Sequence, residues 1–250
     1  MYELRSDSTI LSNDQWTLIS NVIRSYDEFD QINRLQQLFR QKNSQLPKLR
    51  TKPRDTMMIF NEIIIGIQPL MERSVHFQLL PKDVGQRIFV YNLAITGGIN
   101  AMFISREAHI PDDITYTTIC KLTYGQDFFD DSRKVENRLE NNGNLVKLYL
   151  FVLIFSTYCK FLSYTPDEDV NMETNSIELF HTQNIYVETL WRYMIYLYGY
   201  QQAASRFTRL VTDTLCMISM AKRVTDQSAQ NMLVESLVTH IEGALNLASN

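Results

Sequence analysis

Residues 76–89, HFQLLPKDVGQRIF, set a proline corner in the middle of the chain's most apolar stretch. Before it lies DTMMIFNEIIIGIQPLMERSVHF, from Asp55, and after it a run from about Pro81 to Arg106. The first places apolar residues on nearly every side of a helix, and such a helix must lie buried between other layers. The second is a new helix that starts past the corner. Pro81 suits the first turn of the second helix, where its missing N–H costs nothing, and Asp83 in that turn favours the positive helix end. Phe77 and Leu80 are then expected to pack under the corner.

Over the whole chain only eight glycines and six prolines punctuate 250 residues, and apolar residues recur at spacings of three and four. That pattern means helices. Ser12 with Gln15 reads as a capping box opening a first helix from about residue 12 to Phe29, with Trp16, Ile19, Ile23 and Tyr26 as its apolar stripe. Residues 31–54 are polar and basic and read as a loop or short helix. Pro69 is placed to kink its helix, and Gly97-Gly98 to allow a bend or a close approach. The segment AHIPDDITYTTICKLTYG alternates β-branched and aromatic residues around Pro-Asp-Asp, which predicts one small β-hairpin over about 108–124. Helical spacing resumes near Phe128, from Asn144 to Leu162 and from Ser176 to Tyr200, and a last helix runs from about 201 to 247. The acidic linker YTPDEDVNMETN is too short to separate two cores. The expectation is a single all-α domain over 1–250, with roughly ten helices and one hairpin.

Charge and motifs narrow the function. Twenty-four basic against 28 acidic residues give a net charge of −4, so no positive field draws a phosphate backbone, and no direct nucleic-acid contact is expected. Cys120, Cys159 and Cys216 form no CxxC pair, which fits a reducing compartment and neither a disulfide framework nor a zinc finger. MYELRSDSTI carries no apolar signal core. The apolar run 144–162 is broken by Lys147 and Lys160 and falls short of the roughly 20 residues a bilayer needs, so a buried helix is expected and no membrane. His76, His109, His181 and His240 are too far apart for a metal site. No Gly-rich phosphate loop, GxSxG or GxGxxG is present, and no cofactor is expected. Asp112-Asp113, Asp130-Asp131 and Glu168-Asp169 sit in turn-like contexts where solvation explains them, so an enzyme is not expected; a small helical enzyme using these acids is the distant alternative. Tyr186, Trp191, Tyr193, Tyr196 and Tyr200 read as a helix face packed on neighbours.

The order of these segments resembles the ligand-binding domain of nuclear receptors. LSNDQWTLISNVIRSYDEF is similar to the family's first helix, and the helix ending at Phe77 to its third. Phe77, Leu80, Asp83, Ile88 and Phe89 match or approach the signature F-x-x-L-x-x-x-D-Q-x-x-L-L, with Gly85 nearest the missing glutamine. IPDDITYT and YGQDFF are similar to the vitamin D receptor and invertebrate xenobiotic-sensor type, and ASRFTRLVTDTLCMISMAKRVTDQSAQNML to the joined helices 10 and 11.

The resemblance implies a three-layer helical sandwich in the nucleus that binds a hydrophobic small molecule and coregulator proteins to regulate transcription. Carried across by position, the pocket would use Ile59, Phe60, Ile63, Ile67, Met102, Arg106, Tyr116 and Gln227. The coregulator groove would use Glu72, Arg73, Phe77, Leu80 and Phe89. Arg206, Leu210, Leu215 and Met217 would form a face for a homodimer or for a retinoid X receptor-like partner. Besides the missing glutamine, the chain departs from the pattern in three places. Glu72 stands where a lysine normally grips the coregulator helix, Val90 stands near a second expected lysine, and the activation helix has only a partial match, MLVESL at 232–237. No run of eight metal-binding cysteines occurs, so no DNA-binding domain is expected in this chain. The alternative is a constitutive dimerisation or dominant-repressor module whose pocket is filled by its own side chains.

Overall fold

The computed structural model describes residues 11–46, 59, 63, 66–110, 113–156 and 172–225. Among them regular structure is helical throughout. The helices are α1 (Asn13–Asp27), α2 (Gln31–Asn43), α3 (Gln68–Glu72), α4 (Val75–Gln78), α5 (Lys82–Glu107), α6 (Ile114–Tyr124), α7 (Gln126–Arg138), α8 (Gly143–Ile154), α9 (Met172–Tyr198) and α10 (Tyr200–Thr225).

The capping box forms as the sequence predicts: Ser12 Oγ accepts from Gln15 N–H at 3.2 Å, and Gln15 Oε1 from Ser12 N–H at 3.0 Å. Asp30, in the left-handed region at φ 53°, turns the chain from α1 into α2. Of the two readings of this polar stretch, loop or short helix, residues 31–43 take the helix. Their sequence is polar because only a narrow stripe, including Leu35 and Phe39, is buried.

The apolar segment before the corner is not one helix. Ile59 and Ile63 are helical, a turn follows at Gly66 and Ile67, and α3 restarts with Pro69 in its first turn. Gly66 leaves room there for the Gln31 amide, which a Cβ at this position would displace. At the corner Pro81 is the N-cap of α5, and its carbonyl accepts from Gly85 N–H at 2.9 Å. The Phe77 ring lies over Gly85, 3.2 Å from where a Cβ would be.

Helix α5 forms the centre. It packs against α2, α7, α8 and α10, and its apolar residues join a cluster of buried side chains drawn from every long helix. Among the described residues it is the helix long and apolar enough to cross a membrane, yet 72% of that apolar window is covered by protein. Three polar side chains lie along one line of α5 at four-residue spacing: Asn92, Thr96 and Asn100, all buried. Asn92 Nδ2 donates to the carbonyls of Ile154 and Ser156, both at 2.9 Å, and so closes the end of α8. Asn100 Oδ1 accepts from Tyr26 Oη at 2.7 Å, its Nδ2 donates to Gln31 Oε1 at 3.1 Å, and Gln31 Nε2 donates to the Ile63 carbonyl at 2.9 Å.

The predicted hairpin at 108–124 is replaced by a turn, with His109 at φ 55°, and by α6. Asp113 explains the difference: its Oδ1 accepts from Tyr116 N–H at 3.0 Å, an N-cap bond, so the acid that looked like a hairpin turn starts a helix instead. Local alternation of Ile, Thr and Tyr is then overridden by packing of α6 on α2 and α7. The last helix is seen from Tyr200 to Thr225; its predicted continuation to 247, residues 164–171 of the expected linker and the partial activation motif lie outside the described residues, while linker residues 172–175 open α9.

Candidate functional site

The residues expected to line a pocket are brought partly together. Ile59, Ile63 and Ile67 are at most 1% exposed and Met102 is also buried, all within the common core. Tyr116 leans edge-on against Phe39 and its hydroxyl accepts from Ser105 Oγ at 3.0 Å. Burial raises the Tyr116 phenol well above its ordinary value and pushes the neighbouring Cys120 thiol up to about 12, so both stay neutral. Arg106, the expected polar anchor, spends its guanidinium on the end of α7: Nη1 donates to the Leu139 carbonyl and Nη2 to that of Glu140, each at 2.9 Å. Phe60 and Gln227 lie outside the described residues.

At the corner, Phe77 and Leu80 are half-buried against the core and Phe89 is fully inside it. Glu72 is exposed and accepts from Gln68 Nε2 at 2.8 Å. Arg73 points the other way, its Nη1 donating to Glu28 Oε2 of α1 at 2.7 Å. The two charges expected to share one groove therefore serve different neighbours.

On α10 the four expected interface residues divide. Leu210 and Met217 are core, Leu215 is 61% exposed, and Arg206 is half-buried. Arg206 Nη1 donates to both oxygens of the buried Glu140 at 2.8 Å and its guanidinium lies 3.9 Å from the Tyr198 ring centroid. Val211, also exposed, accompanies Leu215 on the outer face. The tyrosine series divides similarly: Tyr186 and Tyr193 of α9 are buried, while Tyr196 of α9 and Tyr200, which opens α10, are more than half exposed.

A groove of about 560 Å³ opens between α1, the Arg73–His76 bend and α8 and α9. Leu18, Val22, Phe151 and Ile185 form its apolar side. Tyr186 Oη meets Ser74 Oγ at 3.2 Å and His76 Nδ1 at 3.0 Å, while its ring stacks on Phe151 and Phe155 with centroids 5.0 and 5.4 Å away. Burial pushes the Tyr186 phenol up to about 12 and lowers the His76 imidazole, so this pair is neutral at pH 7. At one end Glu28 is held by Arg24 Nε and Arg73 Nη1, both at 2.7 Å, and the Arg24 hydrogen bond keeps its carboxyl below the usual range. Sequence reasoning did not assemble this site. The one local signal was the i, i+4 pair Arg24–Glu28; Arg73 and His76 arrive from some 45 residues downstream.

Among the described residues no three His, Cys, Asp or Glu side chains gather as metal ligands. Of the acidic pairs, Asp131 binds Lys134 at 2.9 Å and Arg223 at 2.6 Å; Asp112, Glu168 and Asp169 lie outside the described residues. No protein-family model matches the chain, and no curated protein matches it.

Proposed function

We propose that the chain is a nuclear-receptor-type ligand-binding and dimerisation domain, a three-layer helical sandwich with α5 in its middle layer, acting on transcription through partner proteins. The observation that carries this reading is the corner: Phe77 folded onto Gly85, Pro81 capping α5, and α5 running buried in contact with α2, α7, α8 and α10. The sequence resemblance to the family signature falls on these same residues. A hydrophobic small molecule would enter near Ile59, Ile63, Ile67, Met102, Arg106 and Tyr116, and a second subunit, a copy or a retinoid X receptor-like partner, would meet the outer face of α10.

A second reading has its own support. The four aliphatic side chains of that set are already packed into the core, and Arg106 is committed to backbone carbonyls. This favours a dimerisation or repressor module that holds no ligand. The exposed carboxylate of Glu72 would face the carbonyl end of a docking helix, so binding of an LxxLL peptide is expected to be weak in either case.

Native mass spectrometry of the purified protein, joined to a thermal-shift screen of sterols, fatty acids and xenobiotics, separates the two. A ligand that binds only the folded state raises the melting temperature. A co-purified or stabilising lipid supports the sensor; none at saturation supports the filled module. A chain that is strictly monomeric, binds no lipid and pairs with no receptor domain would sink both.

A further inference from the structure

We propose that the groove between α1 and the Arg73–His76 bend binds a small apolar carboxylate, with the guanidinium pair Arg24 and Arg73 as its anion anchor. This site is separate from the receptor-type pocket, since none of Ile59, Ile63, Met102, Arg106 or Tyr116 lines it, and it does not depend on that reading. Its volume of about 560 Å³ falls in the range that holds single small molecules. Its apolar side, built from Leu18, Val22, Phe151 and Ile185, offers burial to a ring or short chain.

The charge at one end selects the headgroup. Two guanidiniums there share a single carboxylate, Glu28, through one 2.7 Å bond each. The three groups sum to +1, and each guanidinium has five N–H donors, so donors and charge remain for a second carboxylate. Asp14, the other acid lining the groove, is ten residues from Arg24 along α1, about 15 Å at 1.5 Å per residue. A bound acid is therefore oriented, with its carboxylate at the Arg24–Arg73 end. Glu28 competes with it for the same positive charge.

The test uses the full chain with 2-naphthoate and its neutral counterpart 2-naphthylmethanol, titrated by calorimetry and by the imidazole NMR signals of His76, which lines the groove. Naphthoate is expected to move the His76 signals and to bind roughly threefold to fivefold more tightly than the alcohol, as a partly exposed charge contact allows. Arg73→Gln should remove that advantage and leave the alcohol unaffected, and Glu28→Gln should tighten naphthoate. Both positions are about half exposed, and thermal melts verify that the variants fold. No binding at millimolar concentration, binding that leaves His76 unmoved, or equal affinity for acid and alcohol overturns the proposal; so does weaker naphthoate binding in Glu28→Gln.

Discussion

The methyl of Met217 on α10 occupies the space a side chain at Gly98 on α5 would need, its Cε lying 2.1 Å from the position of that missing Cβ. Gly98→Leu is therefore expected to destabilise the fold by about 2 kcal/mol through overpacking. Met217→Ala alone should cost about 2–5 kcal/mol, since the residue is buried. The two penalties should not add, because the truncated side chain vacates the space that leucine requires. Urea denaturation of both single variants and the double variant measures the coupling; strict additivity would show that the contact is not what glycine preserves.

Thr96 Oγ1 is buried without a hydrogen-bond partner. Valine has the same shape and nothing to satisfy, so Thr96→Val should stabilise the protein by about 1 kcal/mol. A loss of stability on chemical denaturation would mean that the hydroxyl has a role in the folded state.

Asp213 is fully buried, and only one of its carboxylate oxygens is bonded, to Arg138 at 3.0 Å. Burial raises its carboxyl above the usual 3.8 despite the arginine. Between 3.8 and the higher folded value, the folded chain keeps a proton that the unfolded chain has lost. This contribution to stability is complete below 3.8 and disappears as pH rises through the folded value. Asp213→Asn, neutral at every pH, should therefore gain on the parent as pH rises from 3 toward 7. Melting temperatures at several pH values in that range decide it, and a constant difference would be the wrong result.

Leu215 and Leu210 share α10 but not its faces, being 61% and 1% exposed. Should the chain pair through the outer face of α10, as proposed above, Leu215→Glu is expected to weaken that pairing in sedimentation and to leave the melting temperature nearly unchanged. Leu210→Ala should cost about 2–5 kcal/mol of stability. Pairing that survives Leu215→Glu unchanged would exclude the outer face of α10 as the interface.

What the sequence made legible was local and periodic. Pro81 and Asp83 marked the start of α5, Ser12 and Gln15 that of α1, and Gly97-Gly98 a close approach, which Met217 makes against Gly98. The hairpin failed because an acid after a proline signals a turn and a helix cap equally well, and only the Asp113 contact to Tyr116 distinguishes them. Arg106 and Arg206 were legible as polar groups at useful positions, but not their partners: Glu140 and the end of α7 come from sequence positions more than 30 residues away. The Arg24–Glu28 pair was legible at i, i+4 spacing, but Arg73, 45 residues on from Glu28, was not, for the same reason.

The line of Asn92, Thr96 and Asn100 gives α5 something its apolar surface cannot. A helix greasy on all sides buries nearly the same area whichever way it is rotated or slid by a turn, so hydrophobicity alone leaves many arrangements close in energy. The amide of Asn100 finds Tyr26 and Gln31, and that of Asn92 finds the end of α8, in one of those arrangements. In any other, both amides would be desolvated with nothing to bond, at about 1–3 kcal/mol for each unsatisfied group. Their worth lies less in holding the fold together than in making its competitors expensive: they act as an address code for a helix that would otherwise fit in too many places.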